Sequence, residues 1–96
     1  VQPPRHALKL AGPGASHADV AVRGKTVWLA WNQVDAHGYS LMLRVSDDGG
    51  LHFGEPRSVA ASSIAVGSPQ LLVRQGHAFI AWNTASGFHL VPAGAR

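Results

Sequence analysis

The sequence predicts an all-β chain made of two four-stranded antiparallel sheets. Three observations predict it. Short apolar runs alternate with a period of two, as half-buried strands do. Eleven Gly and six Pro among 96 residues interrupt those runs at short intervals. A ten-residue run also recurs 51 positions further on, so that most of the chain reads as two copies of one strand-rich unit.

The recurring run is Arg23 to Asn32, which aligns with Arg74 to Asn83; both copies end in Ala-Trp-Asn, at Ala30, Trp31 and Asn32 and at Ala81, Trp82 and Asn83. Upstream, Val20, Ala21 and Val22 match Leu71, Leu72 and Val73. With one gap, Pro4 and Arg5 match Pro56 and Arg57; after a two-residue deletion, Gly38 and Tyr39 match Gly87 and Phe88.

In chain order, residues 5–10 read as the fourth strand of a unit whose first three are missing. The first full unit, 18–61, has strands at 18–23, 26–32, 39–46 and 56–61. Within it, Val27, Leu29 and Trp31 alternate with Trp28 and Ala30. Both sets are apolar, which predicts a strand covered on both sides. Tyr39, Leu41, Leu43 and Val45 alternate with Ser40, Met42 and Arg44. The second unit, 69–91, has strands at 69–74, 77–83 and 87–91. Its fourth strand is expected from residues 5–10, pairing with 87–91 within one chain or between copies, because exposed sheet edges are normally paired or blunted. No stretch carries a 3.6-residue stripe bounded by caps, so no helix is expected. Residues 1–96 thus form a single domain or a fragment of one. The sequence does not begin with Met, as expected of a processed or excised chain.

The first unit is centred on Ser46-Asp47-Asp48-Gly49-Gly50-Leu51-His52-Phe53, a loop suited to bonding with itself. The Asp48 carboxylate can accept from backbone N–H groups just ahead of it, and Ser46 can do the same more weakly. Gly49 and Gly50 tolerate positive φ. Phe53 is placed to fold back and pin the loop. This octapeptide resembles the Asp-box, or BNR repeat, of sialidase-like β-propellers, matching it at Ser46, Asp48 and Gly50. Phe53 stands where that family usually has Trp, and His52 where it usually has Thr. The resemblance implies two blade-like sheets of the sialidase/BNR-propeller type, with Ser46, Asp48, Gly50 and Phe53 as a structural Asp-box joining the third and fourth strands. In the family this box has no catalytic role. The second unit has no box, since the position of Ser46 falls at Ala95. Two units are fewer than the about four to eight blades of a closed propeller.

Composition excludes several functions. With no cysteine there are no disulfides, thiolate metal sites or cysteine nucleophiles. No run approaches the ~20 apolar residues of a membrane-spanning helix. The net charge is +3, but the eight basic residues are scattered singly, unlike a nucleic-acid surface. The six histidines lack metal-site spacing, and no metal or cofactor is expected. Asp47 and Asp48 lack the length and the Glu of a calcium loop.

Sialidases of the resembled family use an arginine triad, a Tyr–Glu nucleophile pair and an acid Asp. The chain has one Tyr, Tyr39, and one Glu, Glu55, with no spacing that pairs them, and it lacks the family's Arg-Ile-Pro motif. No catalytic residue is assigned. Trp31 and Trp82 hold equivalent repeat positions, which predicts burial in matching environments. Residues 33–38, with Gln33, Asp35 and His37, read as the longest hairpin loop within a unit and as the candidate contact loop. The expected function is a non-catalytic scaffold or interaction module, with self-association or a carbohydrate or protein as partner. The alternatives are a fragment of a sialidase-like glycoside hydrolase with its catalytic residues elsewhere, and a carbohydrate-binding module. The resemblance favours a periplasmic or secreted location.

Overall fold

In the computed structural model, the described residues are 15–36, 38–63 and 66–95. They form seven strands and no helix: β1 (Ala15–Arg23), β2 (Thr26–Asp35), β3 (Gly38–Ser46), β4 (Arg57–Ser62), β5 (Gln70–Arg74), β6 (His77–Thr84) and β7 (Gly87–Ala95). All pairings are antiparallel between sequence neighbours. They give a four-stranded sheet, β1-β2-β3-β4, and a three-stranded sheet, β5-β6-β7. The strand expected at residues 5–10, and its pairing with 87–91, lie outside the described residues.

Strand ends follow backbone chemistry. Both β4 and β5 begin one residue later than their apolar runs suggest, just after Pro56 and Pro69; a proline has no N–H to give to a ladder. The β2–β3 hairpin departs further from expectation. The alternation continues through Val34, so β2 runs to Asp35 and pairs it with Gly38, leaving only residues 36 and 37 between the strands. Gly38 makes this possible, with φ of 130° and a backbone so close to β4 that a Cβ would lie 2.7 Å from the Ser62 carbonyl oxygen. The contact loop expected at 33–38 is therefore mostly strand.

The sheets pack face to face. Trp28 and Ala30 on β2 and Leu41 and Leu43 on β3 meet Ala78, Ile80 and Trp82 on β6 and Ala93 on β7. All eight are buried, and their burial is the main apolar contribution to stability. Polar ties join the sheets as well. The Leu71 N–H donates to Asp19 Oδ2 at 2.7 Å. The Trp82 indole N–H donates to Asn32 Oδ1 at 2.9 Å, and the Asn32 amide donates to the Gly67 carbonyl at 2.9 Å. Asn32 is buried; with both ends of its amide engaged, it avoids the desolvation penalty of an orphaned polar group.

The other face of β2, carrying Val27, Leu29 and Trp31, is buried too. The other face of β6 is not. It carries Phe79 and Ala81, flanked by Leu72, Phe88 and Leu90, which are 46%, 64% and 51% exposed.

Candidate functional site

Polar side chains converge most densely in the loop from Ser46 to Phe53. β3 ends at Ser46, whose side chain is buried. Its hydroxyl donates to Asp48 Oδ1 at 2.7 Å and accepts from the N–H groups of Gly50 at 2.9 Å and Asp48 at 3.3 Å. Asp48 Oδ1 also accepts from the His52 N–H at 2.9 Å, while Oδ2 meets His52 Nδ1 at 2.7 Å. The backbone turns through φ of 77° at Gly49 and 96° at Gly50. Side chains rarely adopt such values, which is why glycine stands there. The Gly49 N–H donates to the Lys25 carbonyl at 2.7 Å, fastening the loop to the β1–β2 turn, and the Gly54 N–H closes it onto the Val45 carbonyl at 2.8 Å.

Phe53 is half-buried and is held from an unforeseen side. Arg44 lies over its ring at 5.7 Å and donates to the carbonyls of Gly54 at 2.8 Å and Phe53 at 3.3 Å. The Asp48 carboxyl is held well below the usual carboxylate range, first by the His52 backbone N–H, then by the Ser46 hydroxyl, then by the His52 ring. Oδ1 takes two bonds and Oδ2 one, all from within the loop, so the carboxylate is placed to brace it. The side chain is 41% exposed. Water can therefore replace part of what it supplies, and the loop is less dry than a buried turn.

Beside the loop an open cleft of about 430 Å³ is lined by Asp47, His52, Phe53, Glu55 and Arg57, among others. It gathers charged groups of both signs but no pair suited to nucleophile and acid. Tyr39 is the second residue of β3, and Glu55 follows Gly54, which bonds to Val45 near the other end of that strand, about 20 Å away at ~3.3 Å per residue. The structure does not bring these two together. Among the described residues, no group of three or more His, Cys, Asp or Glu could hold a metal, and no helix is long and apolar enough to cross a membrane.

Ser46, Asp48, Gly50 and Phe53 are thus assembled in one loop. Of the candidate contact residues Gln33, Asp35 and His37, the first two belong to β2. Gln33 is a β2 residue whose side-chain oxygen accepts from the Trp31 indole at 3.0 Å. Asp35 is the last residue of β2, and His37 lies outside the described residues. Trp31 and Trp82 are both buried, but their environments differ. Trp31 bonds two residues along its own strand, whereas Trp82 bonds across the sheets to Asn32.

Sequence reasoning missed a second polar cluster at the β6–β7 hairpin. Thr84 and Ser86 place their hydroxyls 2.8 Å apart, and His89 Nε2 lies 3.3 Å from the first and 3.4 Å from the second. The cluster borders a cavity of about 170 Å³ floored by Trp82 and walled by β4. Two hydroxyls closing a hairpin, with a histidine directly across from Trp82 in the ladder, was the signal available in the sequence.

The fold and loop define an all-β protein of two stacked antiparallel sheets. No family model, curated protein or solved structure matches the chain.

Proposed function

We propose that the chain is a non-catalytic structural unit of the Asp-box propeller type, acting as a scaffold or interaction module. The observation that carries this reading is the manner of stacking. Subtracting the 51-residue offset from Ala78, Ile80 and Trp82, which face the first sheet, returns Val27, Leu29 and Trp31, on the face of β2 that looks away from the second. The two units therefore stack head to tail, each face type meeting the other. Repeat architectures assemble in this way, unit on unit. The loop from Ser46 to Phe53 supports the same reading, because its polar groups serve the loop itself.

Two assays test it: turnover of a fluorogenic sialoside, and binding to an array of glycans. Neither turnover nor saturable binding is expected. Turnover by the chain would overturn the non-catalytic reading. Saturable binding of one glycan class would establish the carbohydrate-binding reading.

A further inference from the structure

The same offset shows what the open face of the second sheet is made to receive. Phe79, Ala81 and Asn83 are the repeat equivalents of Trp28, Ala30 and Asn32, the row of β2 covered by the second sheet. Leu90 lies opposite Ala81 as Leu43 lies opposite Ala30; Leu43 is completely buried, yet Leu90 is 51% exposed. Asn83 is exposed, and among the described residues its side-chain amide has no partner, whereas Asn32 accepts the Trp82 indole N–H. This face thus repeats the apolar row and the Asn of a surface that the molecule already covers with a sheet presenting Ala78, Ile80 and Trp82. It lies on the reverse of the same three strands that make that interface. A head-to-tail contact between two units leaves the same face open on the last of them until enough units are added to close a ring.

We propose that this outer face seats a third β-sheet of the same repeat, one that presents a tryptophan whose indole N–H bonds to Asn83. The inference rests on the repeat reading above and names the partner of that module. A second copy does not fit the role through its first sheet. Its row of Val27, Leu29 and Trp31 is already buried, and its Trp31 N–H is already given to Gln33. The partner is a further unit whose tryptophan row is free to dock. Leaving a flanking surface of Leu72, Phe88 and Leu90 in water is unfavourable, so docking has an apolar drive, and the Trp–Asn bond sets its register.

The chain supplies its own probe. Gly94 lies opposite Ala78 as Ser46 lies opposite Val27, so a copy of residues 47–95 appended after Gly94 continues the repeat and delivers a second β5–β7 unit to the open face. The protein has no cysteine, so Leu90→Cys gives a single thiol on that face. It is expected to react rapidly with a thiol reagent in the 96-residue chain and roughly tenfold or more slowly in the extended chain, where reaction must await undocking. Asn83→Leu in the extended chain should restore fast labelling. Equally fast labelling with and without the extension would overturn the proposal. So would labelling of the unextended chain that slows as its own concentration rises, since the face would then belong to a second copy. None of these outcomes depends on a sugar or a sialoside, so failure here is distinct from failure of the functional reading.

Discussion

Two sheets built from one repeat meet opposite fates in this molecule. In the first, Val27 through Asn32 are buried without a break, so β2 is core on both faces. In the second, β6 alternates, with Ala78, Ile80 and Trp82 buried and the residues between them not. The local sequences are nearly the same, and both strands read as two-sided. The difference shows that a two-sided apolar strand is a statement about capacity. Which of its faces is covered is decided by what the rest of the chain packs against it.

The largest expected effect comes from the tryptophans that hold equivalent positions. Trp82→Ala should lower unfolding free energy by about 3–5 kcal/mol, as for large aromatics in cores, and should also leave Asn32 without its donor. Denaturant titration checks this. If Trp82→Ala were nearly neutral, the inter-sheet core would not be the main support of the fold.

The second comparison sets Leu41, on the covered face of the first sheet, against Leu90, on the open face of the second; the two are opposite in burial. Leu41→Ala should cost about 2–5 kcal/mol, whereas Leu90→Ala should stay within roughly 0.5 kcal/mol, as surface changes do. Equal losses at the two sites, measured by thermal melts of the isolated chain, would mean that Leu90 is already covered in solution.

A third series separates the hydrogen bond from the ring. Replacing Trp by Phe removes similar volume at each site. Trp82→Phe additionally orphans the buried Asn32 oxygen, which should add about 1–3 kcal/mol. Trp31→Phe releases only Gln33, which is not fully buried and can turn to water. Trp28→Phe removes a buried indole N–H that has no acceptor among the described residues, so it should be the mildest of the three. The second unit has Phe79 at this position.

Smaller effects sharpen the comparison of the turns. Gln75 takes φ of 52° and Gly76 takes 79°, a hairpin geometry that favours Asn-Gly. Gln75→Asn should raise stability by about 0.5–1 kcal/mol, since a long side chain is strained there. The smallest effect concerns Asp48, which is partly exposed and screened by solvent. Because folding lowers its pKa, its contribution is complete above the ordinary value near 3.8 and disappears as pH falls through the lower folded value. Acidification below about pH 4 should therefore destabilise the parent slightly more than Asp48→Asn. Parallel acid titrations with the same slope would show that the carboxylate charge does not matter to the loop.

The sequence by itself determined the all-β class, the seven described strands to within a few residues, and the make-up of the Ser46–Phe53 loop. These rest on local physics: period-two alternation, proline's missing N–H, glycine's freedom at positive φ, and the reach of a short carboxylate. Only the tertiary structure decided which face of each strand is core. The alternation of Val27, Leu29 and Trp31 with Trp28 and Ala30 names two apolar faces and ranks neither. It likewise could not show that Trp82 bonds Asn32 while Trp31 bonds Gln33, since those partners depend on which sheet lies opposite. The 33–38 segment was misread for a related reason. Its polar residues suggest a loop, but Gly38 packs closely enough on Ser62 to extend the ladder into it. Contacts between strands distant in sequence settle such matters, and a single strand's pattern does not contain them.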